Sequence, residues 1–226
     1  MTMSDEADSR RGPPHNPHVR KVVDRQKQMV AKLTREEQTS GFRGWHERGY
    51  LPHRDEPGLI QFVTFRLADS FPAELRHEWE QLLKIEDERI RRTELEAYLD
   101  LGHGACYLRD PRVAEMTAKA LQHFDGERYR LIAWTVMPNH VHVLFQTTAQ
   151  PMSKVIQSWK GFTGWKTNQI LELTGDLWQE DYWDTYMRDD EHEQRTIRYL
   201  LNNPVKAKLT DRWQDWPWCG WNREAG

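Results

Sequence analysis

The sequence predicts an α+β fold, an antiparallel sheet with helices packed on it in the ferredoxin-like manner, and three observations carry that expectation. Short runs rich in β-forming residues alternate with segments whose apolar residues recur at helical spacing. Two of those runs, Tyr129 to Met137 and His140 to Gln146, flank a Pro138–Asn139 break and read as a hairpin. The elements follow in the order β-α-α-β-β-α-β-α, with no internal repeat.

Taken in order, residues 1–45 are polar, Pro-containing and weakly periodic, and read as a disordered basic arm in whose charged end a short helix fits. Residues 46–226 read as one domain. Leu59 to Leu67, LIQFVTFRL, has alternating β-formers and predicts a strand. A helical insertion at about 72–124 follows. Its first part carries Leu75, Trp79, Leu82 and Leu83 among charges, so its acidic residues read as a solvated face. Gly102 and Gly104 interrupt it, and Asp110-Pro111 opens a second helix with Val113, Met116, Leu121 and Phe124 at helical spacing.

After the hairpin, Val155, Ile156, Trp159, Phe162, Trp165 and Ile170 predict a helix in spite of Gly161 and Gly164. YWDTYMR at 182–188 predicts a strand. Asp189-Asp190 predicts the N-cap of a last helix that Asn203-Pro204 should stop. The Trp-rich tail DRWQDWPWCGW is expected to close the core as a flap, with a partner surface or a stacking platform for bases as the alternative.

The chain has 226 residues, 38% of them hydrophobic and 30% charged, enough for one ordinary core or two small ones. Its net charge of −3 excludes a histone-like coat for duplex DNA, so any nucleic acid is met locally. The acidic excess is concentrated at residues 54–102, and residues 152–171 contain no acid at all. No apolar run approaches the roughly 20 residues of a membrane helix, and no secretory signal opens the sequence, so a cytoplasmic protein is expected. Two distant cysteines, Cys106 and Cys219, support neither a disulfide framework nor a thiolate zinc site. Eleven tryptophans must be core, partner surface or stacking platforms for bases.

Two small constellations have chemical potential. His140 and His142 are two residues apart on a predicted strand, so both imidazoles share one face while Val141 and Val143 take the other. Such a pair either binds a divalent metal or is satisfied within a polar sheet face. Tyr199 and Asn203 are four apart on the last helix and share its face. An amide oxygen can be a third ligand to a hard ion and a phenol beside it a nucleophile. The alternative is a packed tyrosine with Asn203 as a C-cap.

The blocks MPNHVHVLF, SWKGFTGWKTN, WQEDYWDTYMRDDEHEQ and YLLNNPVKAKL, in that order, resemble the REP-associated tyrosine transposases, a branch of the HUH single-tyrosine transposases. The similarity extends to GHGACYLRDPRVAE and FDGERYRLIAW, roughly residues 50–221. It implies the HUH fold, with His140 and His142 binding Mg²⁺ or Mn²⁺ and Asn203 where the family has a third ligand. It also implies that Tyr199 attacks single-stranded DNA beside a hairpin-forming repeat, giving a 5′-phosphotyrosine. The expected partner is single-stranded or hairpin DNA, the location the nucleoid, and the chain a monomer or homodimer. A hairpin-binding protein without strand transfer is the alternative function.

For DNA contact the candidates are Lys154, Lys160 and Lys166 with Trp159 and Trp165 between them, and Arg195, Arg198, Lys206 and Lys208 around Tyr199. Trp159 is also a core candidate. Tyr182 and Tyr186 read as sheet residues, with Tyr186 the fallback nucleophile.

Overall fold

The computed structural model describes residues 33–48 and 51–222. A short helix α1 (Arg35–Ser40) leads into a two-stranded hairpin of β1 (Gly44–Arg48) and β2 (Leu51–Asp55). Next come β3 (Ile60–Arg66), then helices α2 (Arg76–Leu83), α3 (Glu88–Asp100) and α4 (Pro111–Gln122). The central hairpin is β4 (Tyr129–Val136) and β5 (His140–Thr147), followed by α5 (Met152–Leu171), β6 (Trp183–Tyr186), α6 (Asp190–Lys206) and β7 (Cys219–Trp221). The main sheet is antiparallel throughout, in spatial order β6-β3-β5-β4-β7, so the expected α+β class is what the chain forms.

The strand period of two sorts this sheet into two cores. Val141, Val143 and Phe145 point to one face, where Val113, Ala114 and Leu121 of α4 and Met152, Val155, Ile156 and Trp159 of α5 cover them. His140, His142 and Leu144 point to the other, where Leu144 packs with Phe62, Ile132 and the α6 residues Ile197, Leu200 and Leu201. A register shift between Leu131 and Ala133 lets Ile132 and Ala133 both serve this second core. Each fully buried aliphatic side chain contributes about 1.5–3 kcal/mol, and this apolar surround holds the polar residues of β5 in place.

Both helix starts read from Asp signals form as expected. Asp110 accepts from Arg112 N with Pro111 in the first turn of α4, and Asp189 accepts from His192 N at 2.7 Å.

Three boundaries differ from expectation. The last helix does not stop at Asn203-Pro204 but runs to Lys206, with Pro204 inside it. Proline in a helix leaves the carbonyl four residues back without its donor, here that of Leu200. The Thr135 hydroxyl of β4 donates to that carbonyl at 2.9 Å, which removes the reason to break the helix. Asn203 is therefore a buried helical residue and not a C-cap.

At the chain ends, residues 1–32 of the expected arm lie outside the described residues, whereas α1 and the buried Phe42, placed in that arm, belong to the fold. Lys154 Nζ donates to Ser40 O at 3.1 Å and ties α1 to α5. The tail supplies an edge strand, because Gly220 lets β7 lie directly against the Trp134 ring, where a Cβ would overlap it.

Candidate active site

The site is built on the second face of the sheet, where β5 brings in two histidines and α6 a tyrosine and an amide. His140 and His142 are fully buried, and their Nε2 atoms are 3.1 Å apart. Each ring is oriented from behind. Asn139 places its amide nitrogen on His103 O at 3.0 Å, so its Oδ1 faces His140 Nδ1 at 2.8 Å and accepts that ring's proton. His140 Nε2 is thereby left with its lone pair towards the site. In β3, Thr64 is paired in register with His142, and its hydroxyl meets His142 Nδ1 at 2.8 Å. Burial lowers the basicity of both rings, that of His142 to about 3, so both are neutral imidazoles near neutral pH.

From α6, Asn203 Nδ2 is 3.4 Å from His142 Nε2 and donates to Tyr199 OH at 3.3 Å. The four-residue spacing on one helix face thus becomes contact. Asn203 is 1% exposed and its Oδ1 is a buried acceptor with no partner. Half a turn of the amide exchanges the two atoms and presents that oxygen to the imidazoles. Two convergent neutral imidazole nitrogens beside an orphaned amide oxygen fit a divalent cation with mixed nitrogen and oxygen ligands. Among the described residues no three His, Cys, Asp or Glu side chains are grouped for a metal ion.

The fourth wall is α3. Arg92, Glu96 and Asp100 recur every four residues on the face turned to the site. Tyr199 OH donates to Glu96 Oε2 at 2.8 Å, and Arg92 Nε donates to Glu96 Oε1 at 3.1 Å. The same guanidinium lies over the Phe62 ring, 5.0 Å from its centroid, and donates to Thr185 Oγ1. Asp100 Oδ1 is 4.0 Å from His140 Nε2, while its Oδ2 pairs with Lys206 Nζ at 3.0 Å. Burial, then the charge of Glu96, push the Tyr199 phenol well above the usual tyrosine range. The acids of this segment, read as a solvated face, are thus partly turned inwards. The signal in the sequence was Leu95 and Leu99 interleaved with the polar stripe, since both are core residues.

The remaining candidates separate by face. Arg195, Arg198, Lys206 and Lys208 lie on or just after α6, on the side of the histidines. Arg195 is paired with Glu191. Lys154, Lys160, Lys166, Trp159 and Trp165 lie on α5, across the sheet from the histidine pair. Trp159 is a correction: it is 2% exposed and donates from Nε1 to Tyr129 OH at 2.9 Å, so it is core and not a stacking platform. Lys160 Nζ donates to the carbonyls of Gln179 and Glu180, each at 2.6 Å. Trp165 is 57% exposed, with Lys166 Nζ 5.5 Å from its ring centroid. Tyr186 cannot substitute for Tyr199, because it pairs with Gln61 on the far face and packs on Trp45 and Arg54.

Residues 108–203 match the family model described as "Transposase IS200 like", a span that holds His140, His142, Tyr199 and Asn203. A provisionally named REP-associated tyrosine transposase of Haemophilus influenzae is 23% identical over 130 residues, 53% of this chain and 73% of that protein. The REP-associated tyrosine transposase of Escherichia coli (strain K12) is 24% identical over 99 residues, 43% of this chain and 57% of that one. Among solved structures, a REP-associated tyrosine transposase bound to a REP hairpin aligns at 15% identity with a TM-score of 0.47, covering 77% of this chain and 81% of the other.

Proposed function

We propose that this chain, similar over residues 108–203 to the IS200-like transposase family model and over part of its length to REP-associated tyrosine transposases, cleaves and rejoins single-stranded DNA beside a hairpin-forming repeat. The observation that carries the proposal is the contiguous array from the half-buried Tyr199 OH to the buried Asn203, His142 and His140, with steps of 3.3, 3.4 and 3.1 Å within one chain. A nucleophile and a donor set for a cation are thereby held within one phosphate's reach of each other.

A free phenol ionises near pH ~10, and this one is held neutral by burial, so Tyr199 attacks as its proton leaves. The phenolic oxygen bonds to phosphorus, the bond to the 3′ oxygen breaks, and the products are a 5′-phosphotyrosine at Tyr199 and a 3′-OH. The covalent bond conserves the phosphodiester energy, so the 3′-OH of a second strand end reverses the step without ATP. Mg²⁺ or Mn²⁺, held by His140 Nε2, His142 Nε2 and Asn203 Oδ1, would supply Lewis-acid stabilisation of charge on the scissile phosphate. Arg195, Arg198, Lys206 and Lys208 are the near-side contacts for the strand's phosphates. Trp165, with Lys166 beside it, offers a stacking surface on the opposite layer, suited to a hairpin that reaches around the sheet edge.

The test is covalent trapping. With labelled hairpin-bearing single-stranded DNA and Mn²⁺, the full chain should form an adduct that Tyr199→Phe abolishes and chelation prevents. Binding of the hairpin with no adduct under any divalent metal would leave a hairpin-binding protein instead.

A further inference from the structure

Resting on that reading of Tyr199 as the nucleophile, we propose that Glu96 is the general base of the reaction, taking the phenolic proton as the tyrosine attacks. The argument begins with contact. A proton acceptor must lie within hydrogen-bond reach of the proton it removes, and Glu96 Oε2 accepts from Tyr199 OH at 2.8 Å. The hydroxyl also meets the Asn203 amide, which is too weak a base to take a phenolic proton in either orientation.

The carboxylate is also held where it is needed. Its second oxygen accepts from Arg92 Nε at 3.1 Å, and Arg92 is itself anchored to Thr185 Oγ1 and the Phe62 ring. Glu96 is 8% exposed, so water competes little for its lone pairs. Arg92 holds one carboxylate oxygen, and the other faces the phenol. The base comes from α3 while tyrosine and amide come from α6.

The step balances. The O–H bond of Tyr199 breaks and its proton passes to Glu96 Oε2. The phenolic oxygen forms its bond to phosphorus, and the electron pair of the broken P–O3′ bond remains on the 3′ oxygen, which solvent protonates. Glu96 returns its proton to solvent, or to the phenol when the strand transfer reverses.

The experiment is single-turnover adduct formation by the full chain on hairpin-bearing single-stranded DNA with Mn²⁺. Glu96→Gln keeps the size of the side chain and removes the base, and is expected to slow the adduct by about 10²–10⁴-fold with hairpin affinity and melting temperature unchanged. Glu96→Asp, whose carboxylate sits one methylene further back, should fall between Gln and wild type. Glu96→Ala should be slow and accelerated by added formate, which enters the vacated space as a small carboxylate, whereas Glu96→Gln should not respond. A Glu96→Gln rate within tenfold of wild type, or above it, overturns the proposal, as does a slow Glu96→Ala that formate leaves slow. A wild-type chain without adduct fails the strand-cleavage reading itself and takes this assignment with it, so the two failures are distinguishable.

Discussion

At the scale of single residues, polarity at this site is arranged in pairs, and each pair predicts a measurable effect. His140 and His142 are buried as neutral rings, with His142 lowered to about 3. Above the ordinary histidine range, near pH ~6.5, both folded and unfolded states are neutral there and full stability is present. As pH falls below it, the unfolded chain binds protons that the fold excludes, so stability is lost. The expected loss is on the order of 1 kcal/mol per pH unit for each ring, read as urea midpoints between pH 8 and 5. A His142→Asn variant should show a shallower slope, and an unchanged slope would refute the burial argument. Asn203 leaves an acceptor unpaired, so Asn203→Ala should cost little in folding while raising the Mn²⁺ concentration needed for half-maximal adduct formation by tenfold or more. A large fall in melting temperature with an unshifted Mn²⁺ requirement would instead make the amide structural.

At the scale of elements, α6 owes its last turn to a strand. Thr135 supplies the hydrogen bond that Pro204 denies to Leu200 O. Thr135→Val is expected to destabilise the fold by about 1–3 kcal/mol by orphaning a buried carbonyl, and Thr135→Ser to restore most of it. Because Asn203 lies in that turn, the Val variant should also weaken metal-dependent adduct formation, and equal stability of Val and Ser would show that the bond is dispensable. The β7 edge depends on Gly220 in the same local way. Gly220→Ala sets a Cβ into the Trp134 ring and should cost about 1–3 kcal/mol, measured by urea unfolding.

At the scale of the whole molecule, the sheet divides the basic residues into two layers, and salt dependence separates their roles. Replacing Arg198 or Lys208 by Ala should lower the slope of log affinity against log salt by about one each for hairpin DNA. Lys160→Ala should leave that slope alone and act on stability, because its ammonium is spent on the carbonyls of Gln179 and Glu180. Equal slopes for all three would contradict this division. Much of the layout was legible in the sequence. Period-two alternation put His140 and His142 on one face, and period 3.6 put Tyr199 and Asn203 on one face, because both depend only on local backbone geometry. What lay beyond local periodicity was not legible. That Trp159 is buried and Trp165 exposed depends on which side of α5 meets the sheet. That Glu96 reaches Tyr199 from 103 residues away depends on how α3 docks, and in sequence its acids resemble any solvated helix face. The sequence by itself determined which neighbours share a face, since spacing fixes direction along one element. Only the tertiary structure decided which faces meet, since that is settled by burying apolar surface on both sides of the sheet while giving each buried polar group a partner.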